Sequence, residues 1–179
     1  MMKEKLKVIM SRINDIKYGF VDNNVNIYPD NDRDWDNSFS KYYRLQILNE
    51  LEQTKYGVCW DQVELERFYL NEMGIESKSY FIVEYDELIC PTHTFIVVND
   101  NNKYYWFEHS WEPYRGIHEY GNLNECLLDI KDKFIKMLIN RDISTEEIVI
   151  YEYEEPKCNL DCLEFYKHCE QGKVVNFDE

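Results

Sequence analysis

Between residues 78 and 108 the chain carries three short runs, KSYFIVEY, HTFIVV and KYYWFE, dominated by β-branched and aromatic residues. Runs of that composition and a period of two read as strands. The last two are joined by NDNN, a strong hairpin signal, so they are expected to pair antiparallel. No other feature restricts the fold as much.

The segments before this sheet signal have a helical period instead. Residues 3–17 place Leu6, Ile9, Met10, Ile13 and Ile16 on one stripe, and helical character returns over 39–52 and 59–73. Gly74 is suited to close the last of these as the residue after the cap. Between them, residues 18–38 read as a polar loop rich in Asn and Asp with a lone Trp35. Downstream, residues 123–140 form an amphipathic pattern, IVIYEY at 148–153 a fourth strand, and residues 159–171 a short helix. The chain has no alanine, so Leu, Ile, Glu and Lys must build the helices. No repeat or linker divides it. Helices first and antiparallel strands after give the expectation of one α+β domain over 1–179, with its core at about 45–111.

The formal charge of −15 argues against a nucleic-acid partner, because phosphate binding needs a basic patch that releases counterions. An anionic membrane surface is disfavoured for the same reason. A basic or amine-bearing partner fits. The opening MMKEKLKVIMSRINDIKYG lacks an apolar run ahead of a cleavage site. Nor does any segment reach the roughly 18 apolar residues of a membrane span. A soluble, cytoplasmic protein is expected.

The six cysteines are then expected as thiols, not as a disulfide frame. Cys90 and His93, and Cys158 with Cys162, His168 and Cys169, supply zinc-type ligands, but their spacings fit no zinc template. The C-terminal three also share one helix face, as core residues would. No metal and no cofactor are expected, and Cys90, Cys126, Cys158, Cys162 and Cys169 receive no role.

Cys59 is different because of its position. In KYGVCWDQVELERF it opens a helix, where unpaired N–H groups and the macrodipole favour a thiolate. Gly57 lets backbone approach the thiol closely. Asp61 and Glu64 in the first turns oppose ionisation, so a cationic partner is required. The alternative is that Cys59 is a small hydrophobe on a stripe with Val63, Leu70 and Met73, into which Glu66 intrudes.

A histidine is the natural cation, and it needs a group to fix its tautomer. Of the four, His93 opens the strand HTFIVV. If the hairpin pairs Val98 with Lys103, that register sets His93 directly opposite Glu108, with Cβ atoms about 4.5–5.5 Å apart. His109 points to the other face. Trp106 and Phe107 are expected in core on opposite faces, whereas Trp60, Trp111 and Tyr114 are candidates to line a substrate groove.

With thiol, imidazole and acid in that order, the sequence resembles the transglutaminase-like superfamily of papain-fold cysteine enzymes. The resemblance rests on YGVCW, THTFIVV and YYWFEHSW and covers roughly residues 45–111. It implies a papain/transglutaminase-like α+β fold in which N-terminal helices, the nucleophile helix among them, pack on a small antiparallel sheet. It also implies Cys59 as nucleophile, His93 as general base and acid, and Glu108 as orienting carboxylate, where the family usually has Asp. The Cys59 N–H would help hold the oxyanion, joined by Gln53, six residues upstream as in papain-like proteases, or by Trp35, as an aromatic donor in transglutaminases. The expected activity is acyl transfer from an amide or ester of a peptide, protein or small amine-type substrate through an acyl-thioester. The alternative is an inactive member of the fold that binds a peptide or protein partner in the same cleft.

Overall fold

The computed structural model describes residues 1–31, 35–85, 91–138 and 147–177. In chain order these form α1 (Met2–Ile13), β1 (Gly19–Val21), β2 (Ile27–Pro29), α2 (Trp35–Tyr42), α3 (Leu48–Thr54), α4 (Cys59–Glu72) and β3 (Ser77–Glu84). Then come β4 (Thr92–Asp100), β5 (Lys103–Glu108), β6 (Gly116–Tyr120), α5 (Leu123–Met137), β7 (Ile148–Tyr153), α6 (Cys162–Glu170) and β8 (Lys173–Val174). The main sheet runs β6-β5-β4-β3-β7-β8, every neighbour antiparallel. The fold is α+β. Among the described residues no helix is long and apolar enough to cross a membrane.

Period-two alternation sends successive side chains to opposite faces of the sheet. Ile96, Val98 and Phe107 meet Ile9 and Ile13 of α1 and Leu65 and Leu70 of α4. Tyr80, Phe95, Val97 and Trp106 meet Cys126, Ile130 and Phe134 of α5. Trp106 and Phe107 thus lie on opposite faces, as the alternation requires. A third cluster joins Phe20, Tyr43, Trp60 and Phe81 to Phe165 of α6.

The hairpin register departs from expectation. Asp100 pairs with Lys103, Val98 with Tyr105 and Ile96 with Phe107. The turn is Asn101-Asn102, with φ of +51° and +65°, the positive-φ pair of a tight two-residue turn, which Asn tolerates. The ladder is therefore displaced by two residues from one pairing Val98 with Lys103. Phe95, not His93, falls opposite Glu108. A slip of two leaves every side chain on its face, so His93 and Glu108 still share one, as diagonal neighbours.

Other departures also have local causes. The helix expected over 39–52 is broken at 43–47, where tertiary hydrogen bonds outweigh local propensity. There Leu45 exchanges two backbone bonds of 2.8 Å with residues 159 and 160, Arg44 grips Glu50 at 2.7 and 2.6 Å, and Gln46 N–H donates to Asp61. The first helix stops at Ile13, short of the expected Lys17. Lys17 instead pairs with the loop before α4: its N–H donates to Lys55 O at 2.9 Å and its carbonyl accepts Gly57 N–H at 3.1 Å. The segment read as loop over 18–38 contains β1, β2 and the start of α2, and β6 and β8 carried no clear sequence signal. α6 begins at Cys162, not residue 159, because Asp161 caps it. The tail of the expected 123–140 helix and Cys90 fall outside the described residues.

Candidate active site

The mouth of α4 is built around a side chain that sequence reading treated only as a charge. Asp61, 1% exposed, accepts the N–H of Val58 at 3.0 Å, that of Gln46 at 3.0 Å and the hydroxyl of Tyr43 at 3.4 Å. It caps the helix from its third residue and fixes the loop that precedes Cys59. Burial pushes its carboxyl up to about 7, against those hydrogen bonds. Gly57 admits no side chain: a Cβ there would sit 2.7 Å from Leu51 Cδ1 and 2.9 Å from Asp61 Cβ.

Cys59, 4% exposed, lies close enough to the His93 ring for each to shift the other's titration. His93 Nε2 lies 2.8 Å from Glu108 Oε2, so Nδ1 is the nitrogen left to meet a thiol. The three residues predicted from the sequence are thus brought into one buried neighbourhood. Glu108 is held tightly. Its Oε2 also accepts the Trp106 indole N–H at 3.2 Å, and its Oε1 accepts the Ser110 hydroxyl at 3.0 Å and the Trp111 N–H at 2.8 Å. None of the three was expected as a donor to the acid, although Ser110 and Trp111 stand two and three residues after it in EHSW.

The electrostatics follow from the geometry. Burial opposes the Glu108 charge, but the His93 charge and the donors outweigh it and hold the carboxyl below its ordinary range. Burial likewise disfavours the imidazolium, yet the Glu108 charge and the neighbouring Cys59 raise His93 to about 10. Burial raises the thiol, while the neighbouring His93 and the Thr94 N–H bring it net below its usual value. Each group therefore favours the charged form of the other, toward a thiolate and an imidazolium. The cation demanded by the acidic first turn of α4 is therefore His93.

Around the thiol, Tyr18, Trp35, Phe39, Val58, Trp60 and Thr92 line a cavity of about 100 Å³. The Tyr18 hydroxyl is 3.9 Å from Cys59 Sγ. Burial and the nearby thiolate hold that phenol well above its usual value, hence protonated and a donor. The Lys17 strap onto the α4 loop puts it there. That long-range pairing left no mark in the sequence. Of the two side-chain oxyanion candidates, Trp35 borders the thiol cavity, whereas Gln53 is exposed on α3 and does not line it.

On the His93 side a cleft of about 560 Å³ is bordered by Asp15, Tyr18, Asp30, Trp111, Glu112 and Arg115, among others. The Trp111 ring packs 4.9 Å from His93 and borders this cleft. Tyr114 packs behind it at 4.7 Å and does not border this cleft. Trp60 reaches the thiol cavity but is mainly core, stacked on Phe165 at 4.4 Å.

The remaining histidines stand apart from the pair. His118 bonds the Tyr114 carbonyl, His168 the Glu154 carbonyl, and His109 meets Gln62 on the opposite face from Glu108. Cys59, Cys126, Cys158, Cys162 and Cys169 are free. Among the described residues no group of three or more His, Cys, Asp or Glu is arranged to hold a metal ion. Comparison with protein-family models found no match for this chain, and comparison with curated proteins found none either.

Proposed function

We propose that this chain is a cysteine-dependent acyl-transfer enzyme with a Cys59–His93–Glu108 triad. One observation carries the reading: a buried thiol neighbours an imidazole whose Nε2 lies 2.8 Å from a buried carboxylate, and the charges of the three favour thiolate and imidazolium. A core histidine satisfied by chance would not also lower the pKa of a thiol at a helix mouth. The order of the three residues and the packing of α4 on an antiparallel sheet support a transglutaminase-like, papain-type member of the α+β class.

In this mechanism the Cys59 thiolate attacks the carbonyl carbon of an amide or ester. The oxyanion receives hydrogen bonds from the Cys59 N–H and from Tyr18 or Trp35. His93 gives its proton to the departing amine or alcohol, leaving a thioester on Cys59. Neutral His93 then takes a proton from water or an amine as that nucleophile attacks the thioester. The C–S bond breaks, Cys59 leaves as thiolate from the acid or new amide, and His93 keeps the proton, which restores the starting pair. Glu108 keeps the ring oriented and its cation stabilised throughout. The cleft on the His93 side is where leaving group and incoming nucleophile pass. Asp30 and Glu112 border it without an ionic partner among the described residues, which supports an amine or cationic peptide. Arg115 is engaged with the His109 carbonyl and Lys17 lies 5.7 Å over the Tyr56 ring.

A second reading, an inactive scaffold that binds a partner in the same cleft, draws on the thiol's 4% exposure behind Tyr18 and Trp35. Iodoacetamide separates the two. An active triad predicts alkylation of Cys59 near neutral pH far faster than that of an exposed free cysteine, abolished in Cys59→Ala and much slowed in His93→Ala. A wild-type rate no greater than that of an ordinary thiol would remove the enzyme reading.

A further inference from the structure

We infer that Gln62 and His109 form a positioning clamp that sets the alignment of Cys59 with His93; the inference rests on Cys59 being the nucleophile. The thiol sits on α4 and its two partners sit on β4 and β5, so nothing within any one element fixes their separation. Gln62, one turn after Cys59, bridges the gap. Its Nε2 donates to the Gly57 carbonyl at 2.7 Å, just ahead of the thiol, and its Oε1 lies 2.6 Å from His109 Nδ1. His109 is the residue next to Glu108. The loop that carries the nucleophile and the strand end that carries the acid are thereby joined by a route independent of His93.

The chain of contacts continues on both sides. Gly57 N–H donates to Lys17 O at 3.1 Å, securing the strap that delivers Tyr18. The His109 carbonyl accepts Arg115 Nε at 2.7 Å, and Arg115 borders the His93 cleft. Donor directions are set by the ends: the Gly57 carbonyl can only accept, so the Gln62 amide faces it and Oε1 faces His109, whose Nδ1 must carry the proton.

That leaves His109 Nε2 as a bare lone pair, buried and without a partner among the described residues. Burial, and then the charge of Arg115, keep the ring neutral and push it down to about 4. Well-packed apolar residues would fill this space without an orphaned nitrogen. Stability therefore gives no reason for the pair, whereas alignment does: a misplacement of about 1 Å between reacting groups is enough to cost a hundredfold in rate.

The test compares His109→Leu, similar in size but without a donor, with His109→Asn, whose amide nitrogen occupies the place of Nδ1. For each, the Cys59 alkylation rate by iodoacetamide is measured across pH 5–10 alongside a thermal melt. The clamp predicts that His109→Leu, which leaves Gln62 Oε1 unpaired but still shows a cooperative melt, reacts at neutral pH about tenfold slower, with its inflection moved toward an ordinary thiol. His109→Asn should restore both rate and inflection. Gln62→Met repeats the measurement should His109→Leu fail to fold. An activated wild type whose profile is unchanged in the donor-less variants overturns the clamp alone. So does a slower rate that His109→Asn does not rescue. A wild-type Cys59 no more reactive than an exposed thiol overturns the triad and the clamp with it.

Discussion

Replacing Asp61 by Ala tests how the nucleophile is held without touching the triad. Two buried backbone N–H groups, of Val58 and Gln46, each lose their acceptor at 3.0 Å. A buried donor left unpaired costs about 1–3 kcal/mol, so the pair costs about 2–6 kcal/mol, part of it offset because no carboxyl need be dehydrated. A net loss of about 3 kcal/mol corresponds to a fall in Tm of roughly 6–12 °C for a chain of this size. Asp61→Asn keeps one carbonyl oxygen and should lose about half as much. The pH dependence adds a second signature. The folded carboxyl titrates near 7 because it is buried, against about 3.9 in an unfolded chain. Between those values the folded state holds a proton that the unfolded state has lost. This contribution is full below the unfolded pKa and is lost as pH rises through the folded one. Wild type should lose stability on this account between about pH 4 and 7, by at most about 4 kcal/mol, and Asp61→Asn should not. Urea unfolding of the variants at pH 5 and 7 reads both effects. An Asp61→Ala stability within about 0.5 kcal/mol of wild type, or an unchanged slope in Asp61→Asn, would refute the reasoning.

Three further outcomes follow from the same geometry. In a histidine NMR titration, the His93 ring should stay protonated through pH 8 and titrate near 10, while His109 stays neutral down to about 4; a His93 value at or below the usual 6.5 would contradict the ion pair. Glu108→Asp should slow Cys59 alkylation at neutral pH by about tenfold or more, because a carboxylate one methylene shorter cannot span the diagonal to His93 at 2.8 Å and keep the Trp111 N–H at 2.8 Å. Glu66→Met should raise stability by about 1–3 kcal/mol in a thermal melt, since Glu66 is 2% exposed with an oxygen unpartnered among the described residues, and burial, then the Glu108 charge, pushes its carboxyl well above the usual range.

What could be read in advance divides along a physical line. The strands, α4 and the faces of Trp106 and Phe107 depend on local period and composition, which one sequence displays. The ends of α1 and α3 do not. Lys17 leaves its helix to pair with residues 55–57, and residues 43–47 leave theirs for Leu160 and Asp61. Both moves are driven by partners distant in sequence, with no periodic trace. The same holds within the site. Cys59, His93 and Glu108 were legible because each opens or closes an element. Tyr18, Gln62 and Asp61 act through long-range contacts and looked like ordinary loop and helix residues. Glu66 was noticed as an intruder on an apolar stripe, and it remains one in the folded chain.

The register slip shows why His93 and Glu108 still meet despite a wrong pairing. Direct opposition of His93 and Glu108 would have placed their Cβ atoms close enough for a short acid. The observed turn at Asn101-Asn102 moves them one pleat apart on the same face, a separation of about 7–8 Å between diagonal neighbours. A glutamate has the reach that this diagonal demands, and the Trp106, Ser110 and Trp111 donors take up the freedom its extra methylene would bring. Glutamate at position 108, which departs from the usual aspartate of the resembled family, is thus matched to its own hairpin. Three donors that fix a carboxylate against an imidazole favour the proposed enzyme over an inactive scaffold.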